Sequence, residues 1–367
     1  MKIETFKEKL RWGVSVAERV TGKNLSLPAL GFIKLEAGER SLVVKATNLD
    51  LGIEINVPAK VSVPGEVMLA GATVANFLSH LTRDDKVTLE LVNNNLLIAS
   101  AHTKSVIATH PADDFPLIPR VSAGSSFKLP ATQLISGLKA VAYAASFSDI
   151  KPEIASVYLY QDGGDLIFVA TDSFRLAEKR VILEHKIKEE LKLIIPIKNA
   201  GEVLRVFEGE TGEITVAFNQ NQVSFSTAEI YLTSRLVDGV FPDYRQIMPT
   251  EAKTQVVALK AELINSLKLA TVFTDKLNQI NVKVLVGEGI CELYTKNTEV
   301  GENTTQLEAT LEGEDLEASY NVRYMLDCFQ SITADSLALR FNGKNRPLAL
   351  SGIGDGSFAY LVMPLNR

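Results

Sequence analysis

The chain has 367 residues, 46% of them apolar and 22% charged, enough for two or three domains and too ordinary in composition for a disordered or fibrous protein. Its formal charge of −6 argues against a conventional nucleic-acid binder, which carries a strongly basic domain. No apolar run, Leu191–Pro196 included, approaches a membrane span, and the N-terminus (Met1–Lys9) lacks a signal-peptide core, so a cytoplasmic protein is expected.

In chain order, Phe6, Leu10, Gly13, Val14, Ala17 and Val20 recur at helical spacing and predict a helix over Phe6–Thr21, with Lys7, Arg11, Ser15 and Glu18 on its polar side. Val44–Thr47 reads as an apolar strand ending in Thr, Ala72–Thr82 as a second helix, and Val87–Leu91 as a half-buried antiparallel strand. Asn93-Asn94-Asn95 then supplies the positive-φ residues of a hairpin turn. Ser125–Lys128 opens a strand, followed by a helix over Thr132–Ser146, a turn at Asp162-Gly163-Gly164 and a strand ending at Thr171. The next helix spans Pro196–Phe207, with Pro196 in the first turn, where a missing N–H is harmless, and Gln222–Ser226 alternates as a strand. Helices over Lys260–Thr274 and Asn321–Ile332, a strand ending at Thr295 and a turn at Asn342-Gly343 complete the chain.

Three landmarks repeat in one order. Thr47, Thr171 and Thr295 are each 124 residues apart. Leu78, Leu204 and Leu326, each inside a helical pattern with an apolar residue three later, are spaced 126 and 122, as are Pro116, Pro242 and Pro364. The organisation is therefore α+β, three repeats of two helices and antiparallel strands, with boundaries at 1–121, 122–249 and 250–367. The six helical segments, taken out to Lys23, Arg83 and Lys276, together carry +7, leaving −13 on the rest, so an acidic body can present one cationic helical surface.

Catalytic chemistry is hard to find. Ser125-Ser126-Phe127-Lys128 matches S-x-x-K without its companion motifs, and Gly352, Gly354 and Gly356 have no surrounding βαβ unit. There is no G-x-x-x-x-G-K-[ST], the four histidines are scattered, and Cys291 and Cys328 form no CxxC pattern. Asp172 reads as a turn residue capping local N–H groups. No catalytic residue, metal or cofactor is expected, and the chain reads as a protein that binds rather than reacts.

Ala170-Thr171-Asp172-Ser173-Phe174-Arg175-Leu176-Ala177, Phe241-Pro242-Asp243-Tyr244-Arg245 and Tyr360-Leu361-Val362-Met363-Pro364-Leu365 together resemble the bacterial DNA polymerase III beta subunit family of sliding clamps. The resemblance runs from Met1 to Arg367 and includes Leu27-Pro28-Ala29-Leu30. It implies a DNA-clamp fold and a head-to-tail homodimeric ring that encircles duplex DNA without reading its sequence. The implied partners are a replicative polymerase, a clamp loader and other proteins bearing short clamp-binding peptides, with no membrane.

The same resemblance implies DNA-facing roles for Lys23, Asn24, Lys151, Lys198 and Arg205. It implies a peptide pocket formed by Tyr158, Leu159, Thr171, Ser173, Phe174, Arg175, Leu176, Pro242, Ile247, Val362, Met363, Pro364 and Leu365, with Arg175 offering a hydrogen bond to a peptide carbonyl. Ring closure would use Val272, Phe273 and Glu299, beside Glu302, while the first-domain side has Ser105 where the family usually has an aromatic. Two further departures, Phe174 in place of a common His and Gln246 in place of a frequent basic residue, bear on peptide preference.

Overall fold

Among the described residues each of the six α-helices follows a strand, five without a break and one after a single residue. In the computed structural model, described over residues 1–22, 27–83, 85–121, 124–183, 187, 190–249 and 251–365, strand Lys2–Phe6 runs into α1 (Lys7–Val20) and Gly65–Leu69 leads to α2 (Gly71–His80). Ser125–Pro130 runs into α3 (Ala131–Val141), and Lys192–Pro196 into α4 (Ile197–Phe207). Thr254–Leu259 runs into α5 (Lys260–Thr271), and Leu316–Asn321 into α6 (Val322–Asp327). Pro196 thus closes a strand instead of occupying the helix's first turn. The helix expected over Asn321–Ile332 is α6 followed by a 3₁₀ turn at Cys328–Ser331, and α3 is likewise extended by a 3₁₀ turn at Ala142–Ala144.

The buried stripe of α1 is Lys7, Leu10, Gly13, Val14, Ala17 and Val20, whereas Phe6 is largely exposed. The exchange of Phe6 for Lys7 has a polar cause: Lys7 Nζ donates to the Leu81 carbonyl at 2.6 Å, capping the end of α2 while its aliphatic stem packs inward. A Cβ on Gly13 would lie 3.0 Å from Val57 Cγ2, and one on Gly137, 124 residues later, 2.4 Å from the Phe168 ring. In both repeats a glycine lets the first helix approach its sheet closely.

The chain forms two compact units, residues 1–132 with 202–236 and residues 133–201 with 237–367. The first holds a 12-stranded antiparallel sheet, and the second holds one 9-stranded and one 4-stranded sheet. Within the first unit, strand Leu51–Val63 of the first repeat pairs with Ile230–Arg235 of the second, Gly52 opposite Thr233. Within the second unit, Arg175–Ile182 of the second repeat pairs with Phe358–Val362 of the third, Leu176 opposite Leu361. Successive repeats are thus joined by antiparallel strand pairing. Among the described residues, Lys104–Ala108 and Gly301–Gln306 have a ladder partner on one side only.

The Thr landmarks mark a shared turn. Thr47 Oγ1 donates to the Leu51 carbonyl and accepts from the Leu49 N–H, while Asn48 Oδ1 accepts from the N–H groups of Asp50 and Leu51. Thr171 and Asp172 make the same four bonds to residues 173–175, and Leu49 and Ser173 both have a φ of 77°. The third repeat departs from this pattern. Thr295 lies inside strand Ile290–Asn297 and donates instead to the Ala270 carbonyl.

Cys291 and Cys328 are free and buried, and burial pushes the Cys291 thiol up to about 11. Among the described residues no helix is long and apolar enough to cross a membrane. A Gly137→Ala protein should unfold at a lower urea concentration, with a loss of roughly 1–3 kcal/mol from overpacking against Phe168.

Candidate functional site

Strand alternation in the second unit builds the site. Along Arg175–Ile182, Leu176 and Glu178 point to one face of the sheet and Arg175 and Ala177 to the other. Leu176 and its cross-strand partner Leu361 form the floor of a cavity of about 180 Å³. Its walls are Thr171, Ser173 and Arg175 from the Thr–Asp turn, Ile154, Met363, and Pro242, Asp243, Tyr244 and Ile247 from the segment that enters a 3₁₀ turn at Tyr244–Ile247. Met363 donates its N–H to the Phe174 carbonyl at 2.8 Å, which pins the end of the last strand to the turn.

Arg175 is almost wholly buried, and its guanidinium is committed within the protein. Nε donates to Asp172 Oδ2 at 2.9 Å, a second nitrogen donates to Asp327 at the end of α6, and the group stacks 4.6 Å from the Tyr324 ring. These contacts hold turn and helix together beneath the cavity, whose wall Arg175 also lines. Asp172 has the capping role expected of it, accepting from the Phe174 and Arg175 N–H groups at 2.9 Å.

On the opposite wall four rings pack together. Tyr158 stacks on Tyr160 and on Phe241, each at 4.9 Å between centroids, and Tyr244 meets Phe241 edge-on at 6.4 Å. Burial, then the bond it donates to Glu178, push the Tyr244 hydroxyl far above the ordinary tyrosine range, so it stays protonated.

Of the expected pocket residues, Thr171, Ser173, Arg175, Leu176, Pro242, Ile247 and Met363 come together around the cavity. Leu159 and Val362 have no exposed surface and only back it, Tyr158 packs behind the tyrosine wall, and Phe174 stands exposed beside it. Pro364 and Leu365 continue past Met363, with the Leu365 N–H bonded to the Ser319 carbonyl at 2.8 Å. Ile154, Asp243, Tyr244 and Leu361 were not singled out, although three of them sit inside the motifs quoted from the sequence. Ile154 carries no such signal. It reaches the cavity because its carbonyl accepts from the Ser146 N–H and closes the loop between them.

Of the expected DNA-facing residues, Lys23 and Asn24 lie outside the described residues. Lys198 is exposed and forms an ion pair with Asp149 at 3.0 Å, which draws the loop carrying exposed Lys151 to the start of α4. Arg205, two helical turns on, pairs with Glu202. Val272 is exposed, Phe273 half-buried and Glu299 exposed, all near the turn that precedes strand Gly301–Gln306. Among the described residues no group of three or more His, Cys, Asp or Glu side chains could hold a metal ion.

Family profiles described as the N-terminal, central and C-terminal domains of the DNA polymerase III beta subunit match residues 1–119, 128–243 and 245–366. The beta sliding clamp of Staphylococcus aureus is 27% identical over 93% of each chain. That of Synechococcus elongatus is 27% identical over 100% of this chain and 99% of its own. The crystal structure of the DNA polymerase III beta subunit from Thermotoga maritima superposes with a TM-score of 0.94 at 26% identity, covering 100% of this chain and 99% of that one.

Asp172→Asn should keep both backbone contacts, as Asn48 does in the first repeat, but lose the ion pair of Oδ2 with Arg175, while Asp172→Ala should lose all three contacts and be less stable by roughly 1–3 kcal/mol. Thermal unfolding of the two variants distinguishes them.

Proposed function

The chain belongs to the DNA polymerase III beta subunit family, and we propose that two copies close head to tail into a ring that encircles duplex DNA and slides along it. It is a non-enzymatic processivity factor, working in the cytoplasm, and tethers the replicative polymerase and other DNA-processing proteins.

The observation that carries the ring is the strand pairing between repeats. The strand after the Thr turn pairs with a late strand of the next repeat, and the late strands begin at Lys104, Ile230 and Phe358, spaced 126 and 128. The third repeat has no successor in its own chain. Thr47 pairs with Gly52, Thr171 with Leu176 and Thr295 with Asn303, so the matching strand there is Gly301–Gln306. Applied once more, the rule pairs Gly301–Gln306 of one copy with Lys104–Ala108 of the other. Thr233 and Leu361, paired at the internal junctions, are 3% and 1% exposed, whereas Val106, in a strand with one ladder partner among the described residues, is 66% exposed. A second copy would cover it, together with Val272, Phe273 and Glu299. Such an interface is heterologous and closes after two copies.

The domains are 1–121, 122–249 and 250–367, so the ring has six. About twelve helices spaced roughly 10 Å apart give an axis-to-axis diameter of about 38 Å, and a bore of about 28 Å once one helix diameter is removed. Duplex DNA passes with room for water. Lys23, Asn24, Lys151, Lys198 and Arg205 meet phosphates without reading bases.

The cavity over Leu176 and Leu361 takes short peptides ending in apolar residues. Tyr158, Leu159, Thr171, Ser173, Phe174, Arg175, Pro242, Ile247, Val362, Met363, Pro364 and Leu365 form or back its walls, and adaptable Met363 fits varied side chains. A polymerase held this way stays beside the primer terminus after letting go, at high effective concentration. A clamp loader opens and loads the ring.

The protein should remain with nicked circular DNA on gel filtration and leave it on linearisation. Equal retention on circles and linear fragments rejects encirclement. Lys198→Glu with Arg205→Glu should reduce retention on circles. Val106→Asp, which sets a carboxylate among Glu299 and Glu302, should lower the mass in solution from twice 40.1 kDa to 40.1 kDa by light scattering.

A further inference from the structure

One polar chain beside the cavity runs from exposed Arg245 through the buried Tyr160 and Tyr244 to Glu178. Arg245 donates to Tyr160 Oη at 2.9 Å, the Tyr160 and Tyr244 hydroxyls are 2.6 Å apart, and Tyr244 donates to Glu178 Oε2. The direction of the middle bond follows from chemistry. A guanidinium can only donate and a carboxylate only accepts, so Tyr160 must donate to Tyr244 for every hydroxyl to be used once. The chain runs one way, Arg245 to Tyr160 to Tyr244 to Glu178, and each bond polarises the next. Arg245 is further held by Asp162 at 2.7 Å. Glu178 stands two residues beyond Leu176 on the same face of the strand, so the floor of the cavity and the anchor of its wall share one rigid element.

The internal repeat shows what the chain does. Ile118 lies 126 residues before Tyr244, just as Pro116 precedes Pro242 by 126. At the first junction a Cβ on Gly52 would come 2.8 Å from Ile118 Cγ2, with Thr233 3.3 Å away, so Ile118 sits directly on the strand pair Gly52 and Thr233. At the second junction the equivalent strand pair, Leu176 and Leu361, faces the cavity, and the equivalent linker residue, Tyr244, is tied by its hydroxyl to Glu178. Tyr244 opens the 3₁₀ turn ending at Ile247 and donates its N–H to the Pro242 carbonyl at 2.8 Å, so fixing its ring fixes both Pro242 and Ile247.

We propose that Tyr160 and Glu178 are positioning residues of the pocket, which hold Tyr244 off the Leu176–Leu361 floor and set the width that an apolar peptide side chain must fit. Neither touches the peptide; they act through Tyr244 on Pro242 and Ile247. This rests on the peptide-binding reading of the cavity, and the test separates the two.

The probes are a fluorescein-labelled pentapeptide ending in two leucines and its counterpart ending in leucine and tryptophan, titrated by anisotropy against full-length protein at a temperature where every variant is folded. Tyr160→Phe and Glu178→Ala should each weaken the tighter peptide by about fivefold or more and narrow the affinity ratio between the two. Glu178→Gln, which keeps an acceptor oxygen, should restore most of both. A merely structural role would lower the melting temperature without changing that ratio. Wild-type affinity and ratio in Tyr160→Phe and Glu178→Ala, with binding abolished by Met363→Ala combined with Leu176→Ala, overturns the positioning role and leaves the pocket reading standing. No binding of either peptide to the wild-type protein overturns both.

Discussion

The antiparallel ladder between one repeat and the next is the constraint on which the rest of the molecule depends. A strand at the edge of a sheet presents unpaired N–H and C=O groups that must find partners in water, in another element or in another chain. At two places the partner is the following repeat, with Gly52 opposite Thr233 and Leu176 opposite Leu361. A chain of three such repeats satisfies two junctions internally and leaves one donor strand and one acceptor strand at its ends. In the proposed ring, dimerisation uses the interaction that already joins the repeats.

The proposed peptide pocket grows from the same ladder. The residues that pair at the second junction also form the cavity floor, so the site rests on main-chain hydrogen bonds and not on loops alone. Its rim is tied down at three points: the Thr171–Asp172 turn, the Arg175 bridge to Asp327, and the Tyr244 bond to Glu178. Each is a charged or buried polar contact whose loss leaves an unpaired group, which keeps an apolar depression from collapsing. Binding an apolar side chain into a preformed hollow avoids the ordering cost that a closed, flexible wall would impose.

Much of this organisation was legible in the sequence because it is local or periodic. The 124-residue Thr spacing reflects a turn made by five consecutive residues, and helix positions follow from apolar spacing. What stayed hidden joins residues far apart in the chain. Lys7 looks like a solvent residue until Leu81, 74 positions away, offers a carbonyl. The bond from Arg175 to Asp327, 152 positions away, has no sequence signal either. Tyr244 was visible inside a motif, but its role depends on Glu178, 66 positions earlier, and no spacing rule connects them. The third repeat concealed its donor strand because Thr295 pairs eight residues on, where Thr47 and Thr171 pair five on.

Charge placement completes the physical account. The cations of α4 are not bare: exposed Lys198 is paired with exposed Asp149, and exposed Arg205 with half-buried Glu202. Exposed pairs of this kind are worth about 0–1 kcal/mol, so a phosphate can compete for either cation at little expense and release it as readily. A bare cationic lining would hold each phosphate more tightly and slow movement, since retention and mobility make opposite demands on the same contact. Enclosure removes the conflict. A protein that topology keeps on DNA needs only enough positive charge to offset the acidic body around it. An overall charge of −6 with +7 concentrated in the helical segments and the residues that end them, out to Lys23, Arg83 and Lys276, is then a consistent composition for a DNA-bound protein, and the bulk count that argues against a conventional binder fits one that encircles its target.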